Sequence, residues 1–126
     1  WVGDSRVYHI RNGEILHKTI DHTLLELMKE NGEITAEEAA NFPMKHVIYQ
    51  ALGPRGTHIA PSQIQVENVQ IGDRFLLATD GFFEAWTDEE LIELFKSKQA
   101  KIPEELNKKC LLQAKDNFTF TLVTAI

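Results

Sequence analysis

The sequence predicts an α+β fold or a layered sandwich, in which strands lie with helices at one side. Three observations support this prediction: a two-strand hairpin near the start of the chain, apolar runs typical of strands, and helix-start signals followed by apolar residues at helical spacing. The 126 residues, of which 43% are hydrophobic and 25% charged, suit one ordinary globular domain. We therefore expect a single compact domain.

The hairpin is predicted from residues 2–10 and 14–19, which alternate in polarity. They flank Asn12-Gly13, a pair that accepts the positive φ angles of a tight type I′ turn. We expect two antiparallel strands joined at this pair.

Helices are predicted where a capping residue precedes an apolar residue pattern of helical period. The predicted helices are, in chain order, Leu24 to Asn31-Gly32, Thr35 with Glu38 up to Phe42, Thr87 with Glu90 up to Phe95, and Pro103 to about Ala114. Two helices are thus expected after residue 80.

Four further strands are expected from apolar or alternating runs. They cover residues 47–52, 64–69, 75–78 and 118–126, and a turn at Gly53-Pro54-Arg55-Gly56 closes the first of them. The nearly unbroken apolar run at 75–78 predicts a central, buried strand, and the run at 118–126 predicts an interior one.

The charge, the apolar runs and the cysteine count of the sequence indicate which partners to exclude and which compartment to expect. A net charge of −6 with scattered lysines and arginines argues against nucleic acid. No apolar run approaches the roughly 20 residues that span a bilayer, so we expect no membrane segment. The single cysteine, Cys110, excludes an internal disulfide and reads as a buried, inert thiol. The cytoplasm is the expected compartment.

Both ends of the chain are apolar, since it starts at Trp1-Val2 and stops at Ala125-Ile126. Natural termini are more often polar and frayed. We therefore expect the chain to be a fragment.

Three aspartates stand at or beside predicted strand ends: Asp4, Asp80 and Asp116. Aspartate is depleted within strands, so three at such positions could meet at one sheet edge as hard oxygen ligands for Mg²⁺ or Mn²⁺. Each could equally be a turn residue that bonds nearby backbone groups. The residue pattern alone leaves both interpretations open.

Five motifs occur in a distinctive order. They are Gly3-Asp4-Ser5-Arg6-Val7-Tyr8, Asp21-His22-Thr23, residues 47–53 (VIYQALG), Thr79-Asp80-Gly81 and Asp116-Asn117-Phe118-Thr119. In order and spacing they resemble the metal-dependent protein serine/threonine phosphatases, the type 2C or PPM phosphatases, and the helical stretch falls where bacterial members carry a flap. Any one motif would be a weak signal, but all five together cover nearly the whole chain.

The resemblance implies a four-layer α-β-β-α sandwich with a helical flap insertion at about residues 21–46. It implies two bound cations, Mn²⁺ or Mg²⁺, and a bridging water that attacks phosphoserine or phosphothreonine in a protein substrate. A cognate serine/threonine kinase is a further expected partner.

By the resemblance, Asp80 with Gly81 and Asp116 match the metal-binding Asp-Gly and Asp-Asn motifs. Asp4 matches an aspartate associated with a third, weaker cation. We expect Asn117 to have a structural or substrate-contact role.

Arg6 and His22 have alternative interpretations. Arg6 could bind phosphate or pair with a carboxylate, and we favour the structural role. His22 could be a general acid, but a structural or substrate-contact role is favoured.

The resemblance also predicts what is missing. The family's phosphate-binding arginine, its Glu-Asp pair and its Asp-Gly-His-Gly-Gly segment, which carries the bridging aspartate, do not occur in these 126 residues. We therefore interpret residues 1–126 as the C-terminal half of one phosphatase domain, inactive alone. The alternative is a non-catalytic pseudophosphatase or a regulatory module on the same scaffold.

Overall fold

The computed structural model describes residues 1–53, 59–97 and 101–126, so the predicted turn residues Pro54-Arg55-Gly56 lie outside the described residues. The strands are β1 (Arg6–Arg11), β2 (Glu14–Lys18), β3 (Arg74–Ala78) and β4 (Phe120–Thr124). The helices are α1 (Leu24–Glu30), α2 (Ala36–Ala40), α3 (Asp80–Ala85), α4 (Asp88–Lys96) and α5 (Ile102–Gln113). The predicted α+β class is confirmed.

The described chain forms two compact units. One comprises Trp1–Ser5 and Ile20–Ile64 and contains α1 and α2, while the other comprises Arg6–Thr19 and Gln65–Ile126 and contains the sheet with the remaining helices. No helix in the described ranges has the length and apolar character needed to cross a membrane.

The sheet has the order β2-β1-β3-β4, and all its pairs are antiparallel. The predicted hairpin is confirmed, because β1 and β2 pair around Asn12 and Gly13, which have φ angles of 52° and 76°. The first strand begins at Arg6, so its predicted start at Val2 is wrong. Gly3 has a φ of 89°, which interrupts the extended backbone before Arg6.

β3 is central, as predicted, but it is not buried on both faces. Leu76 and Ala78 are 0% and 6% exposed, whereas Leu77, which points to the opposite face, is 41% exposed. The apolar run predicts burial on both faces because all four side chains are apolar, yet α3, α4 and α5 pack with the side chains of one face.

β4 is an edge strand among the described strands, and the predicted interior position is wrong. It pairs only with β3, and Val123 on its open face is 49% exposed. Apolar side chains lie on both the open and the packed face of β4, and for that reason the sequence predicts an interior strand.

The core of this unit lies where the sheet meets α3, α4 and α5. Its fully buried members include Tyr8, Leu76, Phe82, Leu91 and Leu106. Cys110 belongs to the same core, and burial raises the pKa of its thiol, as expected for an inert cysteine.

The capping predictions are confirmed. Thr35 with Glu38 and Thr87 with Glu90 each form a reciprocal capping box at the start of α2 and α4. α3 was not predicted, so three helices follow β3 instead of two. Its six residues are too few to show a clear helical period beside a strand and a glycine.

Two predicted strands are absent from the described residues. The 47–52 run makes only an isolated bridge, between Ile48 and Thr23, and residues 64–69 form no strand. Leu52 is 84% exposed and Val69 50% exposed. An apolar pattern does not by itself form a strand, because a strand also needs a partner strand whose backbone hydrogen-bonds to it.

Candidate metal site

Asp80 is the first residue of α3, and only Thr79 separates it from the end of β3. The preceding Thr79 does not cap the helix with its side chain. Instead its Oγ1 accepts a hydrogen bond from the Thr119 N–H at 3.0 Å, and its own N–H donates to the Thr119 carbonyl oxygen at 3.0 Å. The start of α3 is thereby joined to the chain just before β4.

Gly81 lies in the closest backbone approach of this region. A Cβ placed on Gly81 would be 2.4 Å from the carbonyl oxygen of Asn117 and 3.1 Å from that of Asp116. Real Cβ atoms do not approach backbone oxygen so closely, so only glycine fits without movement of the chain. The absence of a side chain at Gly81 lets the segment that carries Asp116 lie directly against the helix that begins with Asp80.

Glu84 fixes the same segment from within α3. Its Oε2 accepts hydrogen bonds from the N–H groups of Lys115 and Asp116, at 2.7 and 3.1 Å. One oxygen of Asp116, Oδ1, accepts the N–H of Asn117 at 2.7 Å. Glu84 is not among the predicted site residues, although it stands four residues after Asp80, a spacing that places two side chains on one helix face.

The side chains of Asp80 and Asp116 are both exposed. Asp80 makes no hydrogen bond or ion pair with another described residue, and Asp116 uses one oxygen for Asn117. Carboxylates and nearby backbone carbonyls are hard oxygen donors of the kind that Mg²⁺ and Mn²⁺ accept. The chemistry of these donors fits such a cation.

Within the described ranges, no group of three or more histidine, cysteine, aspartate or glutamate side chains gathers to hold a metal ion. The predicted meeting of Asp4, Asp80 and Asp116 at one sheet edge stays a prediction. Asp4 belongs to the first compact unit, where it is half-buried and follows Gly3.

Arg6 opens β1, and its guanidinium carbon lies 4.7 Å from the centroid of the Phe83 ring, a cation–π distance. This stacking ties the start of the strand to α3. Phe82 is fully buried and Trp86 is 8% exposed, so these aromatic residues after Asp80 pack in the core.

His22 is 6% exposed and is held on both ring nitrogens. Nδ1 accepts the Gly3 N–H at 3.1 Å, so the ring proton lies on Nε2, which is 3.0 Å from Ser62 Oγ. The backbone N–H of His22 also donates to the Gly3 carbonyl oxygen at 2.9 Å. These contacts position the turn that carries Asp4, and the substrate-contact role of His22 stays a prediction.

Asp73, just before β3, is a further carboxylate with several hydrogen bonds, and it is not among the predicted site residues. It is fully buried and accepts two bonds of 2.7 Å from Arg11, one of 2.9 Å from His9 Nε2 and one of 3.0 Å from the Gln70 N–H. The hydrogen bonds from Arg11, aided by the others, hold the pKa of Asp73 well below its usual range. All its partners are structural, so Asp73 is not a candidate ligand.

Comparison with known sequences finds relatives among bacterial serine/threonine phosphatases. The chain is 33% identical over 129 residues to the serine/threonine phosphatase stp of Listeria monocytogenes, a match that covers 97% of this chain and 49% of that protein. It is 36% identical over 92 residues to PstP of Mycobacterium tuberculosis, which covers 73% of this chain and 17% of that protein. No protein-family model matches the sequence. The chain spans about half or less of the length of these relatives.

Solved structures of the same class share the fold. The M. tuberculosis phosphatase PstP matches with a TM-score of 0.80 and 31% identity, over 98% of this chain and 53% of that one. A Streptococcus agalactiae serine/threonine phosphatase matches with a TM-score of 0.82 and 26% identity, over 99% and 52%. The catalytic domain of PstP in complex with two manganese ions matches with a TM-score of 0.62 and 27% identity, over 99% and 52%. The chain is therefore homologous to the bacterial PPM, or type 2C, serine/threonine phosphatases, over about half of their length.

Proposed function

We propose that this chain is part of an enzyme that hydrolyses phosphoserine and phosphothreonine in proteins with the help of Mn²⁺ or Mg²⁺. The observation that carries the proposal is the close approach at Gly81, which lays the Asp116 segment against the helix that begins with Asp80. The homologous phosphatases, one of them solved with two manganese ions, support the same reaction.

In this proposal Asp80 and Asp116 hold the cations, with backbone oxygen close to Gly81. Asp4 contributes to a third, weaker cation. Glu84 keeps Asp116 in position by accepting hydrogen bonds from the backbone N–H groups of Lys115 and Asp116. When bound, such cations lower the pKa of a water and neutralise charge on the phosphoryl group.

We further propose that residues 1–126 form the C-terminal half of one phosphatase domain, with the flap at about residues 21–46. The sheet would then be one of the two in a four-layer α-β-β-α sandwich. The open apolar face at Leu77 and Val123 supports this, because a second sheet would cover it.

The proposed substrate is a phosphorylated protein, and a cognate serine/threonine kinase is the natural counterpart of such an enzyme. The proposed compartment is the cytoplasm. The net charge of −6 disfavours nucleic acid as a partner.

One observation favours a second candidate, a non-catalytic pseudophosphatase or interaction module. The described residues contain no three-ligand metal cluster. The two candidates differ in whether an Asp-Gly-x-Gly-Gly segment accompanies this half in the complete protein.

A chimera tests the proposed reaction. In the Listeria phosphatase, this chain replaces the half that it matches, and the protein is assayed on a phosphothreonine peptide with Mn²⁺. We expect activity that falls by a factor of at least about 100 in the Asp116→Asn chimera, while Glu93→Gln, an exposed carboxylate on α4, retains it. The isolated chain should show no substantial turnover of p-nitrophenyl phosphate.

An inactive but folded chimera would contradict the proposed reaction and favour the non-catalytic candidate. Full-domain turnover by the isolated 126 residues would contradict the proposal that this half is inactive alone.

A further inference from the structure

Thr79 stands where the chain passes from β3 into α3, and its hydroxyl group is used differently from those of the other threonines that precede helices. Thr23, Thr35 and Thr87 stand before α1, α2 and α4, and the hydroxyl oxygen of each accepts a backbone N–H in the first turn of its helix. Thr79 stands in the same position before α3 but makes no such bond. Its hydroxyl oxygen accepts the N–H of Thr119 instead, at 3.0 Å.

This hydroxyl group replaces a backbone acceptor at the end of the sheet. β3 and β4 pair as far as Ala78 and Phe120, so Thr79 and Thr119 are the next two residues in that register. A hydrogen-bonded antiparallel pair exchanges two backbone N–H···O bonds. Thr79 donates its N–H to the Thr119 carbonyl oxygen at 3.0 Å, but its own carbonyl oxygen accepts the Phe82 N–H of α3, at 3.1 Å. The hydroxyl oxygen therefore provides the acceptor for the second bond, and Thr79 begins the helix without losing the pair.

The pair connects the two segments that carry the proposed metal ligands. Asp80 follows Thr79 directly, and Asp116 is three residues before Thr119. Residues 115–119 belong to no helix or strand, so their contacts with neighbouring elements determine where Asp116 lies. The Thr79 contact fixes the end of this segment that leads into β4.

We propose that Thr79 is a positioning residue for the divalent cation, and that its hydroxyl oxygen holds the segment with Asp116 beside Asp80. The inference rests on the proposed function, in which these two aspartates hold the cation. Without the hydroxyl group, one of the two hydrogen bonds between the segments is lost, and the ligands are no longer held in one arrangement. Residues that orient metal ligands without touching the metal typically contribute about tenfold or more to metal affinity.

Three variants test the inference: Thr79→Val, Thr79→Ser and Thr87→Val. Valine keeps the branched shape of threonine without the hydroxyl group, whereas serine keeps the hydroxyl group. The bond to Thr119 is exposed, so water can replace it and Thr79→Val still folds. Thr87→Val removes the cap of α4 and therefore lowers stability without touching the residues proposed to hold metal.

Mn²⁺ binding to each chain is followed by the electron paramagnetic resonance signal of the free ion, and stability by the urea midpoint of unfolding. We expect Thr79→Val to weaken Mn²⁺ binding about tenfold and Thr79→Ser to stay within about twofold of the wild type. Thr87→Val should lower the urea midpoint and leave Mn²⁺ binding unchanged.

Equal Mn²⁺ binding by Thr79→Val and the wild type would overturn the inference, as would equal weakening by Thr79→Val and Thr87→Val, which would indicate a general effect of stability. Asp80→Asn and Asp116→Asn, measured in parallel, separate this failure from that of the proposed function. If both abolish Mn²⁺ binding while Thr79→Val does not weaken it, only the role of Thr79 is refuted. If none of the three changes the binding, the proposed metal site is refuted as well.

Discussion

At Gly81 the backbone of α3 and the backbone of residues 116–117 approach so closely that a methyl group has no room. The contact is with carbonyl oxygens, which cannot rotate away as the end of a side chain could. The absence of a side chain at Gly81 thus allows the segment with Asp116 to lie close to Asp80.

Gly81→Ala should destabilise the chain by about 1–3 kcal/mol, because the added methyl group overpacks a backbone contact. The measurement is the urea midpoint of unfolding, followed by circular dichroism. Gly53→Ala is the matched control, since a Cβ there meets no described atom within 4 Å and its φ is not positive. Unfolding of Gly81→Ala at the wild-type midpoint would show that the approach is looser than described.

At this scale the sequence indicates some residues and not others. Asp80 and Asp116 were singled out by their positions beside predicted strand ends and by the family's motifs, and their role as metal ligands stays a prediction. Glu84 and the Thr79–Thr119 pair were missed, because their contacts join positions 31 to 40 residues apart, and no local pattern encodes such pairs.

Among the elements, β1 and β3 are joined at their ends by the buried carboxylate of Asp73. Arg11, at the end of β1, donates hydrogen bonds to it from two nitrogens, and His9 makes a third side-chain hydrogen bond. Since a buried charge without partners is strongly unfavourable, this cluster specifies how the strands align.

The cluster predicts a pH dependence of stability. The folded-state pKa of Asp73 is depressed, chiefly by Arg11, so folding favours the ionised carboxylate. Its contribution is fully present above the ordinary carboxyl pKa of about 3.9 and is lost as the pH falls towards the folded value. Urea unfolding at pH 7, 5 and 3 should show a steep acid loss for the wild type. Asp73→Asn should be less stable at pH 7 and should lose less on acidification; parallel pH profiles would contradict this.

Element prediction succeeded where the signal is local. The hairpin turn needs two residues of positive φ, and Asn12-Gly13 provides both; the capping boxes at Thr35 and Thr87 are likewise complete within four residues. It failed at 47–52 and 64–69, where apolar patterning had no partner strand. Strand pairing is a tertiary property that composition does not contain.

For the whole molecule, the decisive fact is that the sheet has one packed face and one open face, while the solved relatives are about twice as long. The sequence predicted the α+β class and the four observed strands, although it missed α3 and added two strands, at 47–52 and 64–69, that do not form in the described residues. It could not reveal the open face, because apolar side chains on both sides of β3 read as burial on both sides. The proposed metal site depends on the same question, because Asp80 and Asp116, its proposed ligands, are both exposed.

The central claim is that Asp80 and Asp116 hold a divalent cation together. Titration of the chain with Mn²⁺, followed by the electron paramagnetic resonance signal of the free ion, measures this directly and needs no catalytic turnover. We predict weak binding of one Mn²⁺ by the wild type, loss of that binding in both Asp80→Asn and Asp116→Asn, and no change in Glu93→Gln. Identical titration curves for the wild type and both aspartate variants would contradict the account.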